Sequence, residues 1–385
     1  MKRLALLLPA MRMGGAEKIA LNFIEDLIKH YEVTLVLNKV EGELLSLVPK
    51  EVRIIEDRLL GFHEILKEDL KHFRIFKLYQ DAKYYVKVKT RRTPERNYRY
   101  LVDRSPRLKE NFDIAIAYVA NVSTQIFCLA DRIRADKKIA WIHGETTELK
   151  DIAFYNNCYR TFDKIYAVSN VTKMHFLQKF PECASITEVY YNPINIDDVR
   201  WKAKQPIDII FDKNLVNIVS VGRVTPEKGF DMLPAIVSIL KTKGINIHWY
   251  LIGDGSELQK IKQRTQMLNV SENITFMGML DNPYPYIKNC DIYVQPSYEE
   301  GYSTTICEAG ILGKSIVGTT TSGGIREQVV DGESALLANP TPEEIASKIE
   351  YLIEHPEKRI EMEKNIRGID FSNKKEIDKL LEVAQ

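Results

Sequence analysis

The chain has 385 residues, 54 Lys or Arg against 53 Asp or Glu, a formal net charge of +1 and 45% hydrophobic residues. That is globular usage and excludes a disordered or fibrous chain. The length exceeds what one hydrophobic core usually serves, which favours two domains, and no apolar run approaches the ~18 residues that span a bilayer. Five cysteines (Cys128, Cys158, Cys183, Cys290, Cys307) are odd in number, widely spaced and form no Cys-x-x-Cys pair. The pattern suggests neither a disulfide framework nor a zinc site and fits a reducing, cytoplasmic setting.

The opening MKRLALLLPAM imitates a signal peptide, but Pro9 and Arg12 break the apolar stretch, and Ala16, Ile19, Phe23 and Leu27 follow at helical spacing. It reads as a first strand running into a first helix. Further short apolar runs follow: YEVTLVL, FDIAIAYV, KKIAWIH, FDKIYAVS and ITEVYYNP. They alternate with amphipathic stretches, the pattern of βα units on a parallel sheet. Between them, residues 67–109 hold fourteen Lys or Arg against five acids, interleaved with Phe73, Phe76, Tyr79, Tyr84, Tyr85, Tyr98 and Tyr100. Such a block is either a solvated helical face or a surface for an anionic partner, and with aromatics it suits peripheral contact with anionic lipid at the inner face of the membrane. No recognised nucleic-acid module is present.

From Asn192 to Pro206 the chain is polar with two prolines, which predicts a linker and domains over 1–200 and 201–370. A second βα series runs through NLVNIVSVGR, INIHWYLIG, ITFMG, CDIYVQPS, KSIVGTTT and SALLAN. Residues 342–367 carry helix signals, and a last helix over 371–385 has Ser372 as its cap and Ile377, Leu380 and Leu381 as its stripe.

Four segments hold the chemistry. At the first strand-to-helix junction, Gly14 and Gly15 either form a tight turn or let the backbone approach an anion at the helix start; the spacing is not a dinucleotide fingerprint. In VSVGRVTPEKGFD, a strand ends at Gly222, Arg223 stands at its mouth, Lys228 lies five residues on, and a helix is expected near Phe230. A planar fork and a point charge so spaced can converge on a pyrophosphate. In EEGYSTTICEAG, a helix starting near Ser303 would aim the amides of Ser303, Thr304 and Thr305 at phosphate oxygens. Glu300 in the loop before Gly301 and Glu308 inside the helix would each accept from hydroxyl groups. In AWIHGETT, His143 leaves a strand end, with Glu145 beside it. There is no Asp-x-Asp, no His-x-x-x-His, no P-loop and no Gly-x-Ser-x-Gly elbow, so no metal or other cofactor is expected and Arg223, Lys228 and helix ends must supply the positive charge.

With these residues placed, the chain resembles the family-four retaining glycosyltransferases. GGAE at 14–17, GRVTPEKGFD at 222–231, GDGSEL at 253–258, Glu300-x7-Glu308 and SGGIREQVVDGESALL at 322–337 fall in that family's order. The resemblance implies a GT-B fold, two Rossmann-like doubly wound α/β domains facing a central cleft, with the final helix packing back on the first. It implies that Arg223 and Lys228 bind a donor diphosphate, that Glu300 contacts the transferred sugar and Glu308 the ribose. It places His143 near the sugar, the Gly14–Gly15 loop near diphosphate or acceptor, and Met279, within Met277 to Leu280, against the base. Uridine diphosphate is the family's commonest nucleotide. The activity implied is retaining transfer of a hexose or N-acetylhexosamine to a hydroxyl of a glycan, often lipid-linked, in bacterial surface polysaccharide synthesis. Ser303 stands where the family often has Pro or Gly, a departure that bears on sugar choice more than on fold. Two rival activities keep the fold: a nucleotide-sugar epimerase, and a non-catalytic partner subunit.

Overall fold

The computed structural model describes residues 1–57, 62–77, 79, 83, 100–105, 108–121, 126, 128–144, 152–207, 209, 211–320 and 323–383. The chain makes two α/β units. Met1–Val168, Thr172–Tyr190 and Lys375–Gln385 form the first; Ser169–Val171 and Tyr191–Lys374 form the second. The first unit therefore gives way at Tyr190, ahead of the boundary expected at 200, and the second runs on to Lys374.

Seven parallel strands build the first unit: β1 (Lys2–Leu8), β2 (Tyr31–Leu37), β3 (Arg53–Glu56), β4 (Asn111–Ala117), β5 (Arg134–Ile142), β6 (Lys164–Ala167) and β7 (Thr187–Val189). Their order is β3-β2-β1-β4-β5-β6-β7. The signal-like opening is the central strand, buried from Leu4 to Leu8, because a parallel strand covered on both faces must be apolar along its whole length. The helix Gly15–Leu27 lays Ile19, Ala20, Phe23, Ile24 and Leu27 on it. Phe23 meets Trp141 edge-on at 5.0 Å, and Trp141 meets Tyr190 at 4.3 Å.

The C-terminal helix, Glu376–Val383, counts with this unit. Leu380 is fully buried, the Tyr166 hydroxyl donates to Lys379 O at 2.9 Å, and Lys379 Nζ donates to Val189 O at 2.8 Å. Ser372 is not its cap. Asn373 takes a left-handed φ of 51°, which turns the chain before the helix can begin, and Ile377 and Leu381 are only half-buried.

The second unit has six parallel strands: β8 (Val216–Val221), β9 (Ile247–Ile252), β10 (Ile274–Gly278), β11 (Ile292–Val294), β12 (Ser315–Thr319) and β13 (Leu336–Ala338). The order β10-β9-β8-β11-β12-β13 reverses direction between β8 and β11. Ligands of open parallel sheets sit at the carboxyl ends of the strands at such a switch point. Trp249, at the centre of the core, stays satisfied because its indole N–H donates to Ser220 Oγ at 3.0 Å, and that hydroxyl donates to Val294 O at 2.6 Å.

Three expectations change here. The supposed linker holds a helix, Ile196–Lys202, capped by Asn195 Oδ1 accepting from Asp198 N at 3.1 Å and carrying Asp197 and Asp198 in its first turn and Arg200 and Lys202 in its last. These are capping and dipole signals, too short to show a periodicity. The expected helix near Phe230 begins only at Leu233, after two single turns broken by Gly229. The helical stretch 342–367 is two helices, Pro342–Glu354 and Pro356–Ile366, because Pro356 forbids a helical His355. Cys158, Cys183, Cys290 and Cys307 are free thiols. Among the described residues no helix is long and apolar enough to cross a membrane.

Candidate functional site

Strand β8 ends at Val221. Val224, three residues on, is fully buried and its N–H bonds Asp254 O at 2.9 Å, while the side chain of Arg223 is exposed. The chain then folds back over the loop that leaves β11. Gly229 permits this: its φ is +66°, and a Cβ there would lie 2.1 Å from Pro296 O, so both the left-handed conformation and the close approach demand glycine. Tyr298 N donates to Glu227 O at 2.9 Å and ties the two loops together. Lys228 is thereby delivered to Glu300, its Nζ donating to Oε1 at 2.7 Å, with the two side chains 19% and 9% exposed. Burial pushes the Glu227 carboxyl up, but the Thr225 hydroxyl, a backbone N–H and the charges of Arg223 and Lys228 together bring it below its ordinary value.

The Glu300–Gly301 loop rests on the short helix Gly323–Gln328. Gly324 N donates to Glu300 O at 3.2 Å, and a Cβ on Gly324 would stand 2.3 Å from Gly301 O. Helix Thr304–Ile311 begins directly after the loop, with Ser303 as an extended N-cap. The sequence reading changes at Ser303. Its N–H does not face a crevice, because Gln328 Oε1 accepts it at 3.1 Å while Gln328 Nε2 donates to Ser303 O at 2.7 Å. The amides that open the helix are those of Thr304 and Thr305. One turn further in, Glu308 Oε1 accepts from the Tyr284 hydroxyl at 3.0 Å. Burial first, then the charge of Glu308, keeps that phenol protonated and so a donor. Met279 is 52% exposed at the end of β10, two strands from β8.

In the first unit, the expected residues gather at the carboxyl ends of β1 and β5, with β4 between them. Gly14 is the extended N-cap of its helix at φ −153°, so positive φ is not the reason for glycine there, and a Cβ on Gly15 would meet nothing within 4 Å. His143 packs against the Tyr118 ring, centroids 4.6 Å apart. Burial lowers its imidazole to about 4 against a backbone hydrogen bond to Tyr118, and among the described residues its enclosed Nε2 has no partner. At neutral pH the ring is therefore uncharged. Glu145 lies outside the described residues. Among the described residues no group of three or more His, Cys, Asp or Glu stands where it could hold a metal ion.

Residues 202–368, which carry Arg223, Lys228, Glu300 and Glu308, match the family model described as glycosyl transferases group 1. Over this segment the chain is similar to glycosyl transferases group 1.

An uncharacterized glycosyltransferase of Methanocaldococcus jannaschii, MJ1178, is 29% identical over 245 residues, which cover 61% of this chain and 63% of the relative. The N-acetylgalactosamine-N,N'-diacetylbacillosaminyl-diphospho-undecaprenol 4-alpha-N-acetylgalactosaminyltransferase of Campylobacter jejuni is 28% identical over 179 residues, 46% of this chain and 47% of that one. The chain spans about half the length of the curated relatives it matches. Over the whole length, the crystal structure of Anabaena Alr3699/HepE in complex with UDP superposes with a TM-score of 0.71 at 19% identity, covering 99% of each chain. The fold is GT-B.

Within residues 202–368, sequence reasoning missed Gln328, Tyr284, Gln295 and Ser297. Each is an uncharged polar residue to which no motif assigns a role, and only burial gives it meaning. Gln328, 5% exposed, was findable in principle as an amide in an otherwise apolar helix face, IREQVV.

Proposed function

We propose that the protein is a retaining glycosyltransferase that moves a hexose or N-acetylhexosamine from a nucleoside diphosphate sugar, a uridine diphosphate sugar by default, to a hydroxyl of a glycan. The observation that carries the reading is the Lys228–Glu300 pair at the switch point of the second sheet, with Arg223 beside it and a helix opening at Thr304. Cations and a helix start there suit a diphosphate; the carboxylate suits the hydroxyl groups of the sugar joined to it. Crystal structures of Anabaena Alr3699/HepE in complex with UDP and with UDP-glucose support the same donor class.

The reaction follows from charge. As the bond from sugar to diphosphate breaks, negative charge grows on the phosphate and positive charge on the sugar ring. Arg223, Lys228 and the amides of Thr304 and Thr305 stabilise the first without a metal ion. The acceptor hydroxyl attacks on the face the phosphate leaves, passes its proton to that phosphate, and the anomeric configuration is retained. Glu308 grips the ribose, Met277 to Leu280 face the base, and the neutral His143 accepts from a hydroxyl.

The acceptor in this reading is a lipid-linked glycan of a bacterial surface polysaccharide, reached from the cytoplasmic face. The name of the Campylobacter relative, with its diphospho-undecaprenol acceptor, supports it, as does that of a Staphylococcus aureus capsular polysaccharide glycosyltransferase. Phe73, Phe76 and Tyr79 are 86%, 74% and 66% exposed beside Lys71, Arg74 and Lys77, a basic and aromatic surface suited to anionic lipid. Tyr84, Tyr85 and Tyr98 lie outside the described residues.

The test is thermal stabilisation by a panel of nucleoside diphosphates and their sugars without added metal, repeated on Glu308→Ala. A ligand at about 100 times its dissociation constant adds about 2.7 kcal/mol. A selective shift, reduced in the variant, is expected. No shift with any nucleotide from a folded protein refutes the reading.

A further inference from the structure

Strand β11 leaves the sheet at Val294, and the residues after it turn polar side chains inward. Gln295 is 1% exposed and Ser297 is fully buried. An amide and a hydroxyl so placed are costly unless every group is paired, and here the pairing runs in one direction. Gln295 Oε1 accepts from the Tyr293 hydroxyl at 2.8 Å and from Thr305 Oγ1 at 3.0 Å. Gln295 Nε2 donates to Ser297 Oγ at 2.9 Å, and Ser297 Oγ donates to Glu300 Oε1 at 3.0 Å.

The direction is forced from the carboxylate end. A carboxylate only accepts, so Ser297 must spend its proton on Glu300 and take its own hydrogen bond from a donor. Only the NH₂ side of the Gln295 amide meets that need. With the amide so oriented, its oxygen accepts from the Tyr293 hydroxyl at 2.8 Å, a shorter contact than that hydroxyl's other one, to Val221 O at 3.5 Å. With Lys228 Nζ also on it at 2.7 Å, Oε1 of Glu300 has two donors. Among the described residues, Oε2 has none.

We propose that Gln295 and Ser297 are positioning residues for sugar recognition: they pin one oxygen of the Glu300 carboxylate and thereby present the other, in fixed orientation, to a hydroxyl of the transferred sugar. This rests on the functional reading above and adds to it the device that makes the carboxylate selective. Through Thr305 the same chain fixes the first turn of the helix that opens toward the diphosphate, so one buried amide sets the geometry of sugar and phosphate recognition together. Lys228 alone would not suffice, since an ammonium is a point charge on a flexible stem and leaves the carboxylate free to rotate about it.

The test is calorimetric. Dissociation constants are measured for UDP, GDP, UDP-glucose, UDP-galactose, UDP-N-acetylglucosamine and GDP-mannose on the wild type, on Ser297→Ala and on Gln295→Met, with melting curves to confirm folding. The wild type should discriminate among sugars on its preferred nucleotide. Loss of an oriented hydrogen bond to a charged group should cut that discrimination about 10- to 100-fold, while the affinity for the nucleoside diphosphate without sugar stays within about twofold.

Several results overturn the proposal. Discrimination kept in a folded variant removes the positioning role. Affinity for the bare nucleotide falling in step with that for its sugar means that the network only holds the fold together. A wild type blind to the sugar means that Glu300 does not read it, and two variants that both fail to fold make the network purely structural. Failure of the functional reading looks different: the wild type then binds no nucleotide at all.

Discussion

His143 offers the most quantitative test of how the first unit is built. Its imidazole is lowered from 6.5 to about 4, burial being the cause and a backbone hydrogen bond to Tyr118 the opposing effect. A histidine whose folded value lies below its unfolded value holds fewer protons folded than unfolded. Its contribution is therefore complete above about 6.5 and is lost as pH falls from there towards about 4. Integrating between those values, the loss from pH 7 to pH 5 is up to about 2 kcal/mol. His143→Asn keeps a donor in the place of Nδ1 and removes the titration. Urea unfolding of both proteins should show the wild type losing about 2 kcal/mol more than the variant over that interval, read from the transition of the first unit. Parallel pH dependence in the two proteins would refute the burial argument and, with it, the neutral acceptor assigned to Nε2.

Three further outcomes are expected. Gln328→Leu leaves the Ser303 N–H buried without its partner, while the Ser303 C=O keeps the Cys307 N–H, and should cost about 2 kcal/mol in urea unfolding of the second unit; a change under about 0.5 kcal/mol would mean that water replaces the amide. Tyr284→Phe removes the donor from Glu308 Oε1 and should weaken nucleotide binding about 5- to 10-fold by calorimetry, with a melting temperature near that of the wild type; unchanged affinity removes Tyr284 from the site. Glu300→Gln discharges the partner of Lys228, so affinity for bare UDP should hold or rise while turnover of the nucleotide sugar falls by about 10²-fold or more; affinity and turnover falling together would mean that the pair only stabilises the loop.

The fold was legible because its signals repeat. Strands buried on both faces must be apolar throughout, and all six quoted runs of the second series fall on strands of its sheet, in the order that makes a switch point between VSVGR and CDIYVQPS. Lys228 and Glu300 were legible as charges beside glycines at strand ends, and the structure puts them in contact. What failed was set by partners far away in the sequence. Nothing local marks Ser303 N–H as taken, since its acceptor is Gln328, twenty-five residues on. Of the two readings of Gly14 and Gly15, the tight turn is set aside for a local reason, since Gly14 is extended and Gly15 meets nothing within reach of a Cβ. The helix Ile196–Lys202 hid in a supposed linker because seven residues give too few turns for a periodicity, although Asn195 and the two aspartates after it wrote its cap plainly.

The Lys228–Glu300 pair also bears on why a site for an anion would hold a carboxylate at all. A lysine left alone at the mouth of a strand samples many rotamers, and ordering it at the moment of binding costs up to about 2 kcal/mol of side-chain entropy. Glu300 meets that cost in advance, holding the ammonium where two loops meet, and Glu300 is held in turn by Ser297. The arrangement carries a penalty, since the ammonium must divide its attraction between the carboxylate and an arriving diphosphate. That penalty falls on ground-state binding, whereas the diphosphate gains charge as the sugar leaves, so the cation's pull on it is strongest late in the reaction. In the reaction proposed above, the growth of charge on the diphosphate favours the transition state over the bound donor, and the restraint by Glu300 adds a lysine that is already in place when that charge appears.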